Sequence, residues 1–224
     1  MNAGDASAPE SRAALEKLCD LYWTPLYAYV LRRVQSVSEA QDLTQAFFLA
    51  FLEKNYAATA NPDRGRFRSF LLTAFKHFLS KEWEKARAQK RGGGQAILSL
   101  DFSTADSALK IDPASKLTPE QIYDQQWAIT LLNRVLSQLQ DEYQADHSAE
   151  KFAELRQFLI GDHAGTTYSA SAEQLGMNEP ALRKAVSRLR ARYRTILRQE
   201  ISETVSAPSE IDEEIRNLFR TFQL

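Results

Sequence analysis

Apolar side chains recur at intervals of three and four residues along almost the whole of this chain, and glycine and proline fall in a few clusters instead of at hairpin spacing. That pattern predicts an all-α protein. Thr118-Pro119-Glu120-Gln121 pairs a threonine cap with proline at the first helical position and Gln at the third, and Ser7-Ala8-Pro9-Glu10 and Ser38-Glu39-Ala40-Gln41 carry the same kind of signal. They predict helices near residues 9–33 and 39–55 and a restart near 118. In the second helix Leu43, Phe47, Ala50 and Phe51 form one stripe, with Asp42, Gln45, Leu49 and Glu53 largely off it.

Asn61-Pro62-Asp63 breaks the chain, and Gly92-Gly93-Gly94 imposes too high a conformational cost for a helix to run through it. Residues 95–117 hold only one brief apolar run among Ser, Asp and Pro, so they are expected to connect. The segmentation is two small helical domains, 9–94 and 118–205, joined by a linker, 95–117. A C-terminal amphipathic extension, 206–224, follows, with Ile211, Ile215, Leu218, Phe219 and Phe222 on a stripe that must be covered.

Net charge is −1, yet the charges are sorted. Arg64 to Gly94 holds nine basic and two acidic residues, and Ala181 to Gln199 holds seven basic and none acidic. The remainder carries 12 basic against 27 acidic residues. Two cationic patches in an otherwise acidic chain are the footprint of contact with polyphosphate at two places. A solvated helix face is the alternative for each, although such faces usually mix both signs.

Ala172 to Asn178 reads as the end of a short helix, a glycine turn and an asparagine cap, which is helix-turn-helix grammar. In the helix that follows, Leu182, Val186, Leu189, Tyr193, Ile196 and Leu197 share one side. Arg183, Lys184, Ser187, Arg188, Arg190, Arg194 and Arg198 share the other. The first turns of such a helix suit base edges in a major groove, and Arg190 and Arg194 suit phosphates. An ordinary surface helix of a bundle remains the competing reading.

In the first patch Phe67, Leu71, Ala74 and Phe78 form an apolar face flanked by Phe70 and Phe75 and widened by Leu72 and Leu79, so most of these rings belong to a core. Ser69, Thr73, Lys76, His77, Ser80 and Arg87 form a polar strip with Trp83 at its edge, and Arg64, Arg66 and Arg68 cluster at its start. Cations beside an aromatic edge suit unpaired nucleic acid, where charges track phosphates and bases stack or are captured. A plain helical bundle accounts for this pattern equally well.

Taken in order, EAQDLTQAFFLAFLEKN (39–55), RGRFRSFLLTAFKHFLSKEWEKARAQKR (64–91) and YSASAEQLGMNEPALRKAVSRLRARYRTIL (168–197) resemble a bacterial RNA polymerase sigma factor of the extracytoplasmic-function type. The resemblance covers about residues 12–205. It implies that Asp42, Gln45, Phe48 and Leu49 dock on the clamp helices of the largest polymerase subunit, with the flap of the second-largest as a further contact. It implies that Arg66, Arg68, Ser69, Lys76 and His77 melt and read the minus-ten element. Arg183, Lys184, Ser187 and Arg188 would read the minus-thirty-five element, with Arg190 and Arg194 on its phosphates. The long connector, the stretch 146–167 and the helix after Pro208 depart from that plan, and the last helix is expected to pack on the second domain or to hold the protein closed.

The implied function is promoter recognition and transcription initiation, a binding role and not an enzyme's, with core polymerase and promoter DNA as partners and an anti-sigma protein as one way of restraining it. Two rivals stand beside it. One is a helix-turn-helix regulator that binds operator DNA without polymerase; the other is a helical adaptor that binds only protein. No cofactor is expected: His77, His147 and His163 lack metal-ligand spacing, and no glycine loop of phosphate-cradling type occurs. The lone Cys19 cannot form an internal disulfide. The longest wholly apolar run is Ala46 to Leu52 and the N-terminus lacks a signal-peptide pattern, so a cytoplasmic protein is expected.

Overall fold

The computed structural model describes residues 8–53, 66–89, 116–159 and 167–223. Among these the chain is all α. The helices are α1 (Ala8–Val34), α2 (Val37–Glu53), α3 (Phe67–Gln89), α4 (Pro119–Ala145), α5 (Ala149–Arg156), α6 (Tyr168–Gln174), α7 (Glu179–Ser202) and α8 (Ile211–Arg220). Arg64, the break at 61–63, the glycine triplet and the connector through residue 115 lie outside the described residues. Two compact units form, one of residues 1–130 with 202–224 and the other of residues 131–201. The division falls inside α4.

In the first unit α1, α2, α3 and the opening turns of α4 enclose an aromatic core of Tyr22, Tyr27, Tyr29, Phe47, Phe51, Phe75, Tyr123 and Trp127. Phe47 lies 4.8 Å from Phe75, ring centre to ring centre, and Tyr29 lies 6.0 Å from Phe75, within the range of favourable aromatic pairing. Helix α2 begins at Val37, with Ser36 standing two residues before the expected Ser38 cap and its Oγ accepting from the Glu39 amide at 3.4 Å. Its buried residues are Ala40, Thr44, Phe47, Phe48 and Phe51, a face rotated from the expected stripe because Phe48 stacks on Trp23 at 5.5 Å. The buried face of α3 is Arg68, Leu71, Phe75 and Leu79, while Phe67, Phe70 and Phe78 are half-buried. An arginine on that face reflects its partners, described below. The Thr118 capping box forms as expected, with Thr118 Oγ1 accepting from the Gln121 amide at 3.2 Å and Gln121 Oε1 from the Thr118 amide at 2.8 Å.

The second unit packs Leu131, Val135 and Leu139 of α4 with Phe152 and Leu155 of α5, Phe158 beyond it, and Leu182, Val186, Leu189, Ile196 and Leu197 of α7. The apolar side expected for α7 is buried apart from the half-buried Tyr193, whose phenol burial pushes up to about 12. Between α6 and α7 Gly176 adopts φ +62, a left-handed conformation that ends α6 at little cost only for a residue without Cβ. Asn178 Oδ1 then accepts from the Ala181 amide at 2.9 Å and starts α7. Thr167 Oγ1 caps α6 in the same way, from the Ala170 amide at 3.2 Å.

After α7 the chain returns to the first unit. A 3-10 turn at Pro208–Glu210 leads into α8, and the Glu210 carboxylate accepts from the Ser206 and Ala207 amides at 2.9 and 3.3 Å. The buried residues of α8 are Glu214 and Leu218, followed by Thr221 at its C-cap. Ile211 and Ile215 are half-buried, and Phe219 and Phe222 are 48% and 44% exposed, so the helix is turned away from its most apolar stripe. A carboxylate is tolerated at 0% exposure only with charged partners at hand, and those partners set the rotation.

Candidate nucleic-acid interface

Cations of α3 meet acids from distant parts of the chain. Glu214 bridges two arginines, with Arg66 Nε at 2.8 Å from its Oε2 and Arg68 Nε at 2.5 Å from its Oε1. Arg66 also reaches Glu213 at 2.5 Å, and Arg68 pairs with Asp124 at the start of α4. The Arg68 guanidinium lies 4.8 Å above the Trp127 ring, and the Arg68 carbonyl accepts from the Tyr123 hydroxyl at 3.0 Å. Two guanidiniums thus face three carboxylates. Burial works against the Arg68 charge, but Asp124 and Glu214 outweigh it and hold the guanidinium above its ordinary range. Burial also raises the Asp124 carboxyl, even against the opposing pull of Arg68.

The rest of the α3 strip is more open. Ser69 and His77 are exposed. Lys76 pairs with Glu120 at 2.6 Å, and that hydrogen bond holds the Glu120 carboxyl below its ordinary range. The Lys76 ammonium also lies 5.8 Å from the Tyr29 ring centre, and Arg33 lies 5.3 Å from that of Trp83, so the aromatic edge expected at Trp83 carries a cation. Of the residues expected to meet polymerase, Leu49 is 53% exposed, Asp42 and Gln45 are half-buried, and Phe48 is inside the core against Trp23.

On α7 the cationic side faces solvent. Arg183, Lys184, Ser187, Arg188 and Arg194 are exposed. Arg183 reaches back to Glu179 at 2.6 Å and lies 4.4 Å over the Tyr168 ring, which fixes its guanidinium at the start of the helix. Arg190 differs: its Nε and Nη2 donate to the Phe158 carbonyl at 3.0 and 2.6 Å, satisfying the end of the α5 segment. Arg192 is tied to Glu142 at 2.5 Å and holds that carboxyl below its ordinary range.

The residues that sequence reasoning passed over are Glu213, Glu214, Asp124 and Trp127. The acidic first turn of the last helix, Asp212-Glu213-Glu214, is visible in the sequence as a favourable match to a helix N-terminus. Nothing local connects it to arginines 146 and 147 residues away. Among the described residues no cluster of acids, histidines or cysteine is arranged to hold a metal, and no helix is long and apolar enough to cross a membrane.

A protein-family model described as ECF sigma factor matches residues 4–200. No curated protein and no solved structure matches the chain.

Proposed function

The chain belongs to the ECF sigma factor family, which acts in transcription initiation with RNA polymerase and promoter DNA, and from that premise we propose how its own residues divide the work. Residues 9–94 bind the clamp helices of core polymerase and the minus-ten element, 118–205 bind the flap and the minus-thirty-five element, 95–117 link them, and 206–224 are an extension. The protein supplies recognition and strand opening, while the polymerase performs nucleotide addition.

The observation that carries this reading is α7: a capped helix with its apolar side buried and Arg183, Lys184, Ser187, Arg188 and Arg194 on its solvent side. Guanidinium groups donate in pairs to guanine edges, lysine donates as a point charge, and a hydroxyl serves either role, so this face can read bases in a major groove from its first turns. Arg194 falls farther along, where phosphates run. Arg190 keeps Nη1 outside its bond to Phe158 and adds a phosphate contact from a fixed position.

At the other patch Arg66, Arg68, Ser69, Lys76 and His77 form the minus-ten surface, with phosphates of the non-template strand on the cations and an unstacked base beside the hydroxyl and imidazole. Asp42, Gln45 and Leu49 form the polymerase contact. Phe48 supports that contact from beneath through its stack on Trp23.

Reconstitution with core polymerase and run-off transcription tests the proposal. The holoenzyme is expected to initiate at defined promoters and to bind them with a steep salt dependence, and the protein alone to bind the same duplexes weakly. Equal affinity with and without polymerase would instead mark an operator-binding regulator, and no salt-dependent DNA binding in either form would mark a protein adaptor.

A further inference from the structure

We propose that α8 is a built-in acidic plug: Glu213 and Glu214 occupy the guanidinium groups of Arg66 and Arg68, so that the protein alone keeps its strand-binding surface closed, a role that rests on the minus-ten assignment of those arginines.

Arginine forms the same forked, charge-assisted hydrogen bonds with a carboxylate as with a phosphate. Arg66 spends Nε on Glu214 and Nη2 on Glu213, and Arg68 spends Nε on Glu214 and Nη1 on Asp124. All three Arg68 nitrogens are therefore engaged and that residue is only 8% exposed, while Arg66 keeps only Nη1 outside its two ion pairs. Plug and nucleic acid compete for one set of N–H groups. The competitor also lies in a different part of the chain from the surface it covers, so it can leave without dismantling α3.

The attachment of α8 fits a removable element better than a fixed core helix. Its ten residues bury only Leu218 besides Glu214, with Thr221 buried just beyond, and Phe219 and the following Phe222 stand half in solvent. A helix this short is marginal by itself and depends on its docking for stability. The segment that leads into it is tethered by the Thr204 carbonyl, which accepts from the Phe67 amide at 3.1 Å, and by Glu203 pairing with Lys17 of α1. The first of these contacts sits at the start of α3, and together they keep the acids at a high local concentration over the arginines. Ionic docking of this sort weakens when a polyanion competes, which is the circumstance of promoter engagement.

A thermodynamic cycle on the full chain tests the plug, with a fluorescein-labelled oligothymidylate as the single-stranded probe, anisotropy as the readout, and thermal melting to show that each variant folds. Glu213→Gln/Glu214→Gln is expected to tighten binding by about tenfold, toward the lower end of the range for coupled sites. Arg66→Gln/Arg68→Gln is expected to weaken binding more in the glutamate background than in the parent, where the plug already holds those groups, and so to abolish that gain. Glu213→Gln alone, at a 58% exposed carboxylate, gives a smaller gain and keeps the test decisive should the double variant fail to fold. If the glutamate variants bind no tighter while the arginine changes weaken the parent and the glutamate variants equally, the plug is wrong and the minus-ten role survives. If the arginine changes have no effect in either background, the minus-ten role itself fails and the plug with it.

Discussion

Arg188 and Arg190 are two positions apart on α7 and carry the same charge, yet their surroundings differ enough to separate a recognition residue from a positioning one. Arg188 is exposed, so Arg188→Ala should leave stability within about 0.5 kcal/mol of the parent. In the holoenzyme the same change should cost about 1–3 kcal/mol of promoter affinity if the guanidinium reads a base edge. Arg190→Ala removes two N–H donors from the Phe158 carbonyl at 3.0 and 2.6 Å, beside a ring at 0% exposure. Hydrogen bonds from a charged donor are worth about 1.5–3 kcal/mol net, and the abandoned carbonyl must find water or stay unpaired. For a unit the size of residues 131–201, each kcal/mol lowers Tm by about 4–8 °C, so Arg190→Ala should melt at least about 6 °C lower. The assays are thermal unfolding followed by circular dichroism and a filter-binding titration of holoenzyme on promoter DNA over a range of salt. Equal Tm for the two variants would refute the positioning role of Arg190. An unchanged promoter affinity for Arg188→Ala at every salt concentration would refute the assignment of this face to DNA.

Burial raises the Tyr193 phenol to about 12, above its ordinary 10, so the folded state holds its proton more tightly than the unfolded chain. The contribution is present below pH 10 and is lost as pH rises toward 12; urea unfolding of Tyr193→Phe should therefore fall less steeply across that window than the parent. At Gly176 a Cβ would meet nothing within 4 Å, so Gly176→Ala should cost only the left-handed backbone, about 1 kcal/mol; a loss above about 3 kcal/mol in a denaturant titration would mean a clash the structure does not contain. Phe75 is fully buried between Tyr29 and Phe47, and Phe75→Ala should cost about 3–5 kcal/mol, read as a drop in the melting transition of the first unit.

Features under the control of short-range physics could be read from the residues alone. The spacing of apolar residues dictates helices, and the Thr118 box, the Gly176 turn and the Asn178 cap each involve groups within four residues of one another, so their chemistry was legible at once. The buried side of α7 was legible for the same reason, because a helix with all its cations on one side has only one side to bury. Tertiary structure decided which face turned inward wherever more than one choice was open. Phe48 went into the core of the first unit because Trp23 was there to stack on it, although the family resemblance grouped it with the exposed Leu49 at the polymerase contact. Arg68 and Glu214 were each unfit for burial alone, and they are buried because each neutralises the other across 146 residues of chain. A desolvated charge costs several kcal/mol until its partner arrives, and local sequence does not encode where that partner will come from. The last helix, read from its own stripe, would have buried Phe219 and Phe222; it turned Glu214 inward instead, because Arg66 and Arg68 stand at the start of α3.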